Sequence, residues 1–216
     1  MINHSFEERF EMLLDSELDA RHTKKIVKMV KASKMRLNAS MENIDYSIDR
    51  GFQKGAITSL YGGDWIKNHH NIILTGATGT GKSYIACALG NRACELNHSV
   101  IFFRLPRLLS DIKLSKETGN YNKLMKQLKK NSVLILDDFA LSRLSISESR
   151  DLLEVIDDRI NYGSCIFTSQ IPPEKWYEIF DDPTFADAIM DRIIHNSYKI
   201  SLVGPSMRKV NKEIRE

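Results

Sequence analysis

The chain lacks any apolar run approaching the roughly 20 residues needed to span a bilayer, which argues against a membrane helix. Its first residues, Met1 to Glu8, lack the basic start and apolar stretch of a secretory leader. Cysteine is scarce. Cys87, Cys94 and Cys165 form no C-x-x-C pair, so neither a disulfide framework nor a zinc ribbon is expected, and the three read as buried, reduced thiols of a cytoplasmic protein. His69, His70 and His98 show no metal-ligand spacing. No internal repeat or low-complexity segment is visible. A net charge of +3 excludes little; the distribution of charge says more. The length, 216 residues, allows one substantial core and a small appendage.

Residues 1–40 contain no glycine or proline and read as helical. Ser5-Phe6-Glu7-Glu8 is a capping-box pattern, and Phe6, Phe10, Leu13 and Leu14 recur on one helical face. A second helical stretch, about 17–37, carries Arg21, Lys24, Lys25, Lys28, Lys31, Lys34 and Arg36 with no acid between Arg21 and Arg36; Ile26, Val27 and Val30 form its narrow apolar stripe. Two readings stay open. It is a solvated face balanced by the acids before it, or a surface for nucleic acid or an acidic partner. Residues 41–70 read as a connector with one short helix. From 71 onward strands (71–75, 99–103, 133–137, 164–169, 198–202) alternate with helices (82–96, 106–115, 120–130, 147–162, 173–180, 185–195). That alternation predicts an α/β fold with a mostly parallel sheet covered on both faces.

Gly76-Ala77-Thr78-Gly79-Thr80-Gly81-Lys82-Ser83 is a complete G-x-x-x-x-G-K-[ST] loop. It follows the apolar run Ile72–Thr75 and precedes a helix former, Tyr84–Leu89. In that setting glycines let backbone N–H groups turn inward around phosphate, and the helix starting near Gly81 adds its positive end. Lys82 is placed for the β- and γ-phosphates of ATP or GTP, and the Ser83 hydroxyl for Mg²⁺. Val133-Leu134-Ile135-Leu136-Asp137-Asp138 is a buried strand ending in two acids, the Walker B pattern. Asp137 would hold Mg²⁺ and Asp138 would act as general base. Aspartate at this second position is one methylene shorter than the glutamate of many such ATPases, which implies slow hydrolysis or an additional water bridging the gap. Ile166 to Gln170 is a further strand with a polar end, where Thr168, Ser169 or Gln170 would meet the γ-phosphate or the attacking water, unless it is a plain polar turn.

These stretches, with Ser5–Phe10, Ala39–Tyr46, Leu134–Phe139, Thr168–Pro172, Ala186–Asn196 and Gly204–Lys209, resemble the IstB family of AAA+ ATPases. Those are helper proteins of one group of bacterial insertion sequences, related to DnaC-type helicase loaders. The resemblance covers almost the whole chain. It implies a P-loop NTPase (AAA+) core at 46–216 with a vestigial lid, and a small helical partner-binding domain at 1–45. It implies that Arg192 is an arginine finger reaching a neighbour's ATP in a homo-oligomer, and that Arg208 is a sensor acting on nucleotide within its own chain. The expected partners are duplex DNA and the transposase encoded by the same element. Related proteins carry a DNA-facing inserted helix where this chain has Arg107, Lys113, Lys116, Lys123 and Lys126, a lysine-rich stretch suited to sequence-independent phosphate contact or, more plainly, to a solvated face.

Three rivals remain at this point. A helicase loader shares nearly every motif. A small-molecule kinase fits the P-loop alone, but not the paired acids, Asp191-Arg192 or the basic helices. A non-hydrolysing ATP switch is kept open by Asp138.

Overall fold

A computed structural model describes residues 5–47, 51–52 and 54–207. The first element, α1 (Phe6–Ser33), is one unbroken helix of 28 residues rather than two meeting near residue 17. Without glycine or proline nothing interrupts the backbone hydrogen bonds. The capping box forms as expected. Ser5 Oγ accepts from the Glu8 N–H at 3.2 Å, and the Glu8 carboxylate accepts from the Ser5 N–H at 2.7 Å. The helix ends where Lys34 turns left-handed, at φ 59°. Its expected apolar face does not enter the core: Phe6 is 71% exposed and Leu13 68%. Of the second stripe, Val30 packs against the core as expected, together with Met29, which the stripe did not include, whereas Val27 is 62% exposed.

The connector holds two short helices, α2 (Lys54–Thr58) and α3 (Asp64–Lys67), where one was expected. Ala39, Met41 and Ile44 are buried in the same cluster as the central strands. Beyond it run β1 (Asn71–Gly76), α4 (Lys82–Glu95), β2 (Val100–Arg104), α5 (Leu105–Glu117), α6 (Tyr121–Lys130), β3 (Val133–Phe139), α7 (Ile146–Asp157), β4 (Ser164–Ser169), a 3₁₀ turn (Pro173–Ile179), α8 (Pro183–Ile194) and β5 (Ser197–Leu202). The helix expected over 147–162 stops at Asp157; Asn161 takes φ 63° in the turn that follows. The stretch expected as helix at 173–180 is a 3₁₀ turn entered through Pro172 and Pro173.

The five strands form one sheet in the order β2-β3-β4-β1-β5, and every pair is parallel. Alternate residues of each strand feed opposite faces. Val133 and Ile135 join the cluster beneath α1 and α4, whereas Leu134 and Leu136 join the cluster beneath α5 to α8. Burial on both faces is why these strands read as continuous apolar runs.

Candidate nucleotide site

Parallel strands bring their C-terminal ends to one edge, and β4 lies between β1 and β3. The loop after β1 and the acids ending β3 therefore meet across the end of β4. Ser83 Oγ donates to Asp137 Oδ1 at 2.7 Å, and Thr168 Oγ1 donates to the same oxygen at 2.5 Å. Thr168 in turn accepts from the Asp138 N–H at 3.1 Å. Asp137 is 3% exposed and Lys82 8%. A hydroxyl beside a buried carboxylate is a donor set that suits a hard cation such as Mg²⁺.

The loop itself is built on left-handed glycines. Gly76 has φ 144°, and a Cβ there would lie 2.1 Å from the Leu202 carbonyl oxygen. Gly79 has φ 88°, and its Cβ would meet Ser206 Oγ at 2.2 Å. The segment after β5 thus lies against the loop, and the Met207 N–H donates to the Gly79 carbonyl at 2.9 Å. Thr80 Oγ1 donates to the Ala77 carbonyl at 2.9 Å. Lys82 Nζ donates to the carbonyls of Gly76 and Ala77 at 2.7 and 2.8 Å, inside the turn that phosphate would fill. Gly81 caps α4, so Lys82 and Ser83 open that helix at its positive end.

Two adjoining cavities of about 420 and 400 Å³ flank this turn and share Leu37 and Ser83. The first is walled by Ile44, Tyr84 and Met207, a mainly apolar seat of nucleotide size. The second holds Arg36, Arg104, Asp137 and Asp138. Asp138 takes φ 58°, and its carboxylate accepts from Arg104 Nε at 2.6 Å. The pair is partly exposed, 46% and 26%, so breaking it costs about 0–1 kcal/mol.

Gln170 accepts from Thr78 Oγ1 at 3.0 Å and so reaches the phosphate loop. The contact to the acids comes from Thr168, two residues earlier. Arg192 lines a different cavity, of about 290 Å³, together with Asn71 and Asn196. Asn71 starts β1 while the loop follows its end, so about 17–20 Å of strand separates Arg192 from the loop of its own chain. Arg208 lies outside the described residues.

The basic stretch is partly neutralised by acids of α5, of α7 and of the residue that follows α7. Lys116 is paired with Asp151, and Lys129 with Asp158 at 3.0 Å. Arg107 pairs with Asp111 at 3.0 Å. Lys113, Lys123 and Lys126 are exposed and have no ion-pair partner among the described residues. Met125 and Leu128 turn inward, which leaves Lys123, Lys126 and Lys130 on the outer face of α6.

A five-stranded parallel sheet in this order, with a phosphate loop after β1 and an acid-tipped β3, defines an AAA+ P-loop ATP-binding protein. The model described as IstB-like ATP binding protein matches residues 2–214, and the chain belongs to that family. It is 41% identical over 198 residues to the insertion-sequence ATP-binding protein y4pL of Sinorhizobium fredii, covering 92% of this chain and 81% of that one. It is 43% identical over 169 residues to the ATP-binding protein of insertion sequence IS1162 of Pseudomonas fluorescens, covering 78% and 73%. Among solved structures it resembles DnaI, with a TM-score of 0.67, 21% identity and coverage of 81% and 93%. It also resembles the DnaC helicase loader, with a TM-score of 0.66, 19% identity and coverage of 78% and 99%. At that identity the two structures speak for the fold alone.

Proposed function

We propose that this chain hydrolyses ATP and, as an ATP-dependent homo-oligomer, binds duplex DNA and regulates the transposase of its own insertion sequence. The observation that carries the reading is the junction of Lys82, Ser83, Asp137 and Asp138 at one sheet edge, in a chain 41% identical to an insertion-sequence ATP-binding protein. Bound ATP would take Lys82 away from the carbonyls of Gly76 and Ala77, and the N–H groups of Gly79 to Ser83 would cradle its phosphates. Mg²⁺ held by Ser83 and Asp137 would supply charge neutralisation at those phosphates. Asp138, released from Arg104, would take the proton of the attacking water. Thr168 keeps Asp137 oriented, and Gln170 acts at the phosphate side through Thr78. Arg192 serves the site of an adjacent subunit, Arg208 that of its own chain.

The exposed apolar face of α1, Phe6 to Leu14, suits the docking of the transposase. The outer face of α6 suits sequence-independent phosphate contact. The test is DNA binding by the full chain with ATP across a range of salt. Binding should favour duplex, ignore sequence and fall steeply with salt. Replacing Lys123 and Lys126 by alanine should weaken all sequences alike and reduce the log–log salt slope by about 0.9 per lost contact. Lys82→Ala should abolish both ATP binding and ATP-dependent DNA binding. Loss of DNA binding on deletion of residues 1–40, with the lysine variant normal, would move the DNA to α1. A strong preference for single strands would favour a helicase loader.

A further inference from the structure

We propose that Asp157 is the positioning residue for Arg192, orienting the guanidinium that one subunit extends toward the ATP of the next. This rests on the reading of Arg192 as acting across a subunit interface. Asp157 closes α7 and Arg192 stands in the last turn of α8. The two helices share a core in which Leu152, Val155 and Ile156 meet Ile189, Met190 and Ile193, so their ends are held in register. Arg192 Nε is buried and forms an ion pair with Asp157 Oδ1, although its N–H is not aligned for a hydrogen bond. Nη1 donates to the Ala188 carbonyl at 2.8 Å. The stem and one arm of the guanidinium are therefore tied to their own subunit. Nη2 has no acceptor among the described residues, which leaves that arm to face outward.

The neighbouring acids are engaged elsewhere. Asp158 pairs with Lys129, and Asp191 with His195. Asp157 is thus the carboxylate that sets the plane of Arg192. An arginine side chain has many rotamers, and a carboxylate at Nε removes part of that freedom before the phosphate arrives. With side chains 32% and 45% exposed, the pair adds little to folding stability, so its effect should fall on rate.

The experiment compares Asp157→Asn, Arg192→Ala and Asp138→Asn in the full chain with ATP and duplex DNA, alone and mixed. Asp157→Asn should keep wild-type ATP affinity and lose on the order of 10²-fold in kcat. Mixing it with Asp138→Asn should restore activity, because one mixed interface joins an intact carboxylate site to an intact, oriented arginine. Mixing it with Arg192→Ala should restore nothing, since both lack the arginine function. Arg192→Ala rescued by Asp138→Asn, with Asp157→Asn not rescued, would leave the trans reading standing and remove Asp157. No rescue of Arg192→Ala would remove the trans reading and this proposal with it. A wild-type or raised rate in Asp157→Asn, or lost ATP affinity, would also overturn the assignment.

Discussion

Gly76→Ala tests whether the phosphate loop is built from backbone that only glycine can supply. Gly76 is the last residue of β1 and pairs with Leu202 of β5. Its φ of 144° lies where a side chain is strained by about 1–3 kcal/mol. The new methyl group would also stand 2.1 Å from the Leu202 carbonyl oxygen. That atom is strand backbone and cannot swing aside, so relieving the overlap adds about 1–3 kcal/mol. The sum, about 2–6 kcal/mol, is a large share of the stability of an ordinary domain. At about 2–4 °C per kcal/mol for a chain of this size, the melting temperature should fall by roughly 4–24 °C. ATP affinity should fall as well, because the displaced turn leads into the N–H groups of Gly79 to Ser83 that would cradle the phosphates. Gly55→Ala is the control. It sits within α2 with nothing inside 4 Å of its added Cβ, and alanine there should be neutral or stabilising by about 0.5–1 kcal/mol. Calorimetry and urea titration of both variants decide the matter. Melting temperatures within about 2 °C of one another would refute the reasoning.

Arg159→Ala should destabilise the chain by about 3–5 kcal/mol in chemical denaturation, since each orphaned buried carbonyl costs about 1–3 kcal/mol and entering water recovers only part. Arg159 is 3% exposed and donates to the carbonyls of Leu128, Asn131, Ser132 and Ser164 and to Cys165 Sγ. A loss below about 1 kcal/mol would mean that this network is dispensable. The three thiols should resist a disulfide-exchange reagent at pH 8 until the chain is unfolded. Burial pushes Cys94 up to about 11 and raises Cys87 and Cys165, so the reactive thiolate is scarce as well as covered. Any thiol of the native chain that reacts as fast as in denaturant would contradict the packing.

Local chemistry written into the sequence determined the five strands, the loop from Gly76 to Ser83, the acid-tipped third strand and the capping box at Ser5. Each depends on residues adjacent in the chain or at a short repeat, so periodicity and turn chemistry report them directly. What the tertiary structure decided depends on residues far apart in the chain. Thr168 touches Asp137 because β4 lies between β1 and β3, an order that no single segment carries. Knowing that order, the hydroxyl on β4 could have been singled out from its place one residue past Phe167, which pairs with Leu136 of β3. Arg104 finds Asp138, Arg159 finds four carbonyls, and Asp157 finds Arg192 only once the helices have packed. The same holds for charge. Lys116 and Lys129 look identical to Lys123 and Lys126 in sequence, yet Asp151 of α7 and Asp158 just after it pair with the first two, and the other two face outward. The apolar stripe of α1 shows the limit from the other side. Its spacing establishes an amphipathic helix, but whether that face meets the core or the solvent is settled by what packs beside it, and here Phe6 to Leu14 stay exposed.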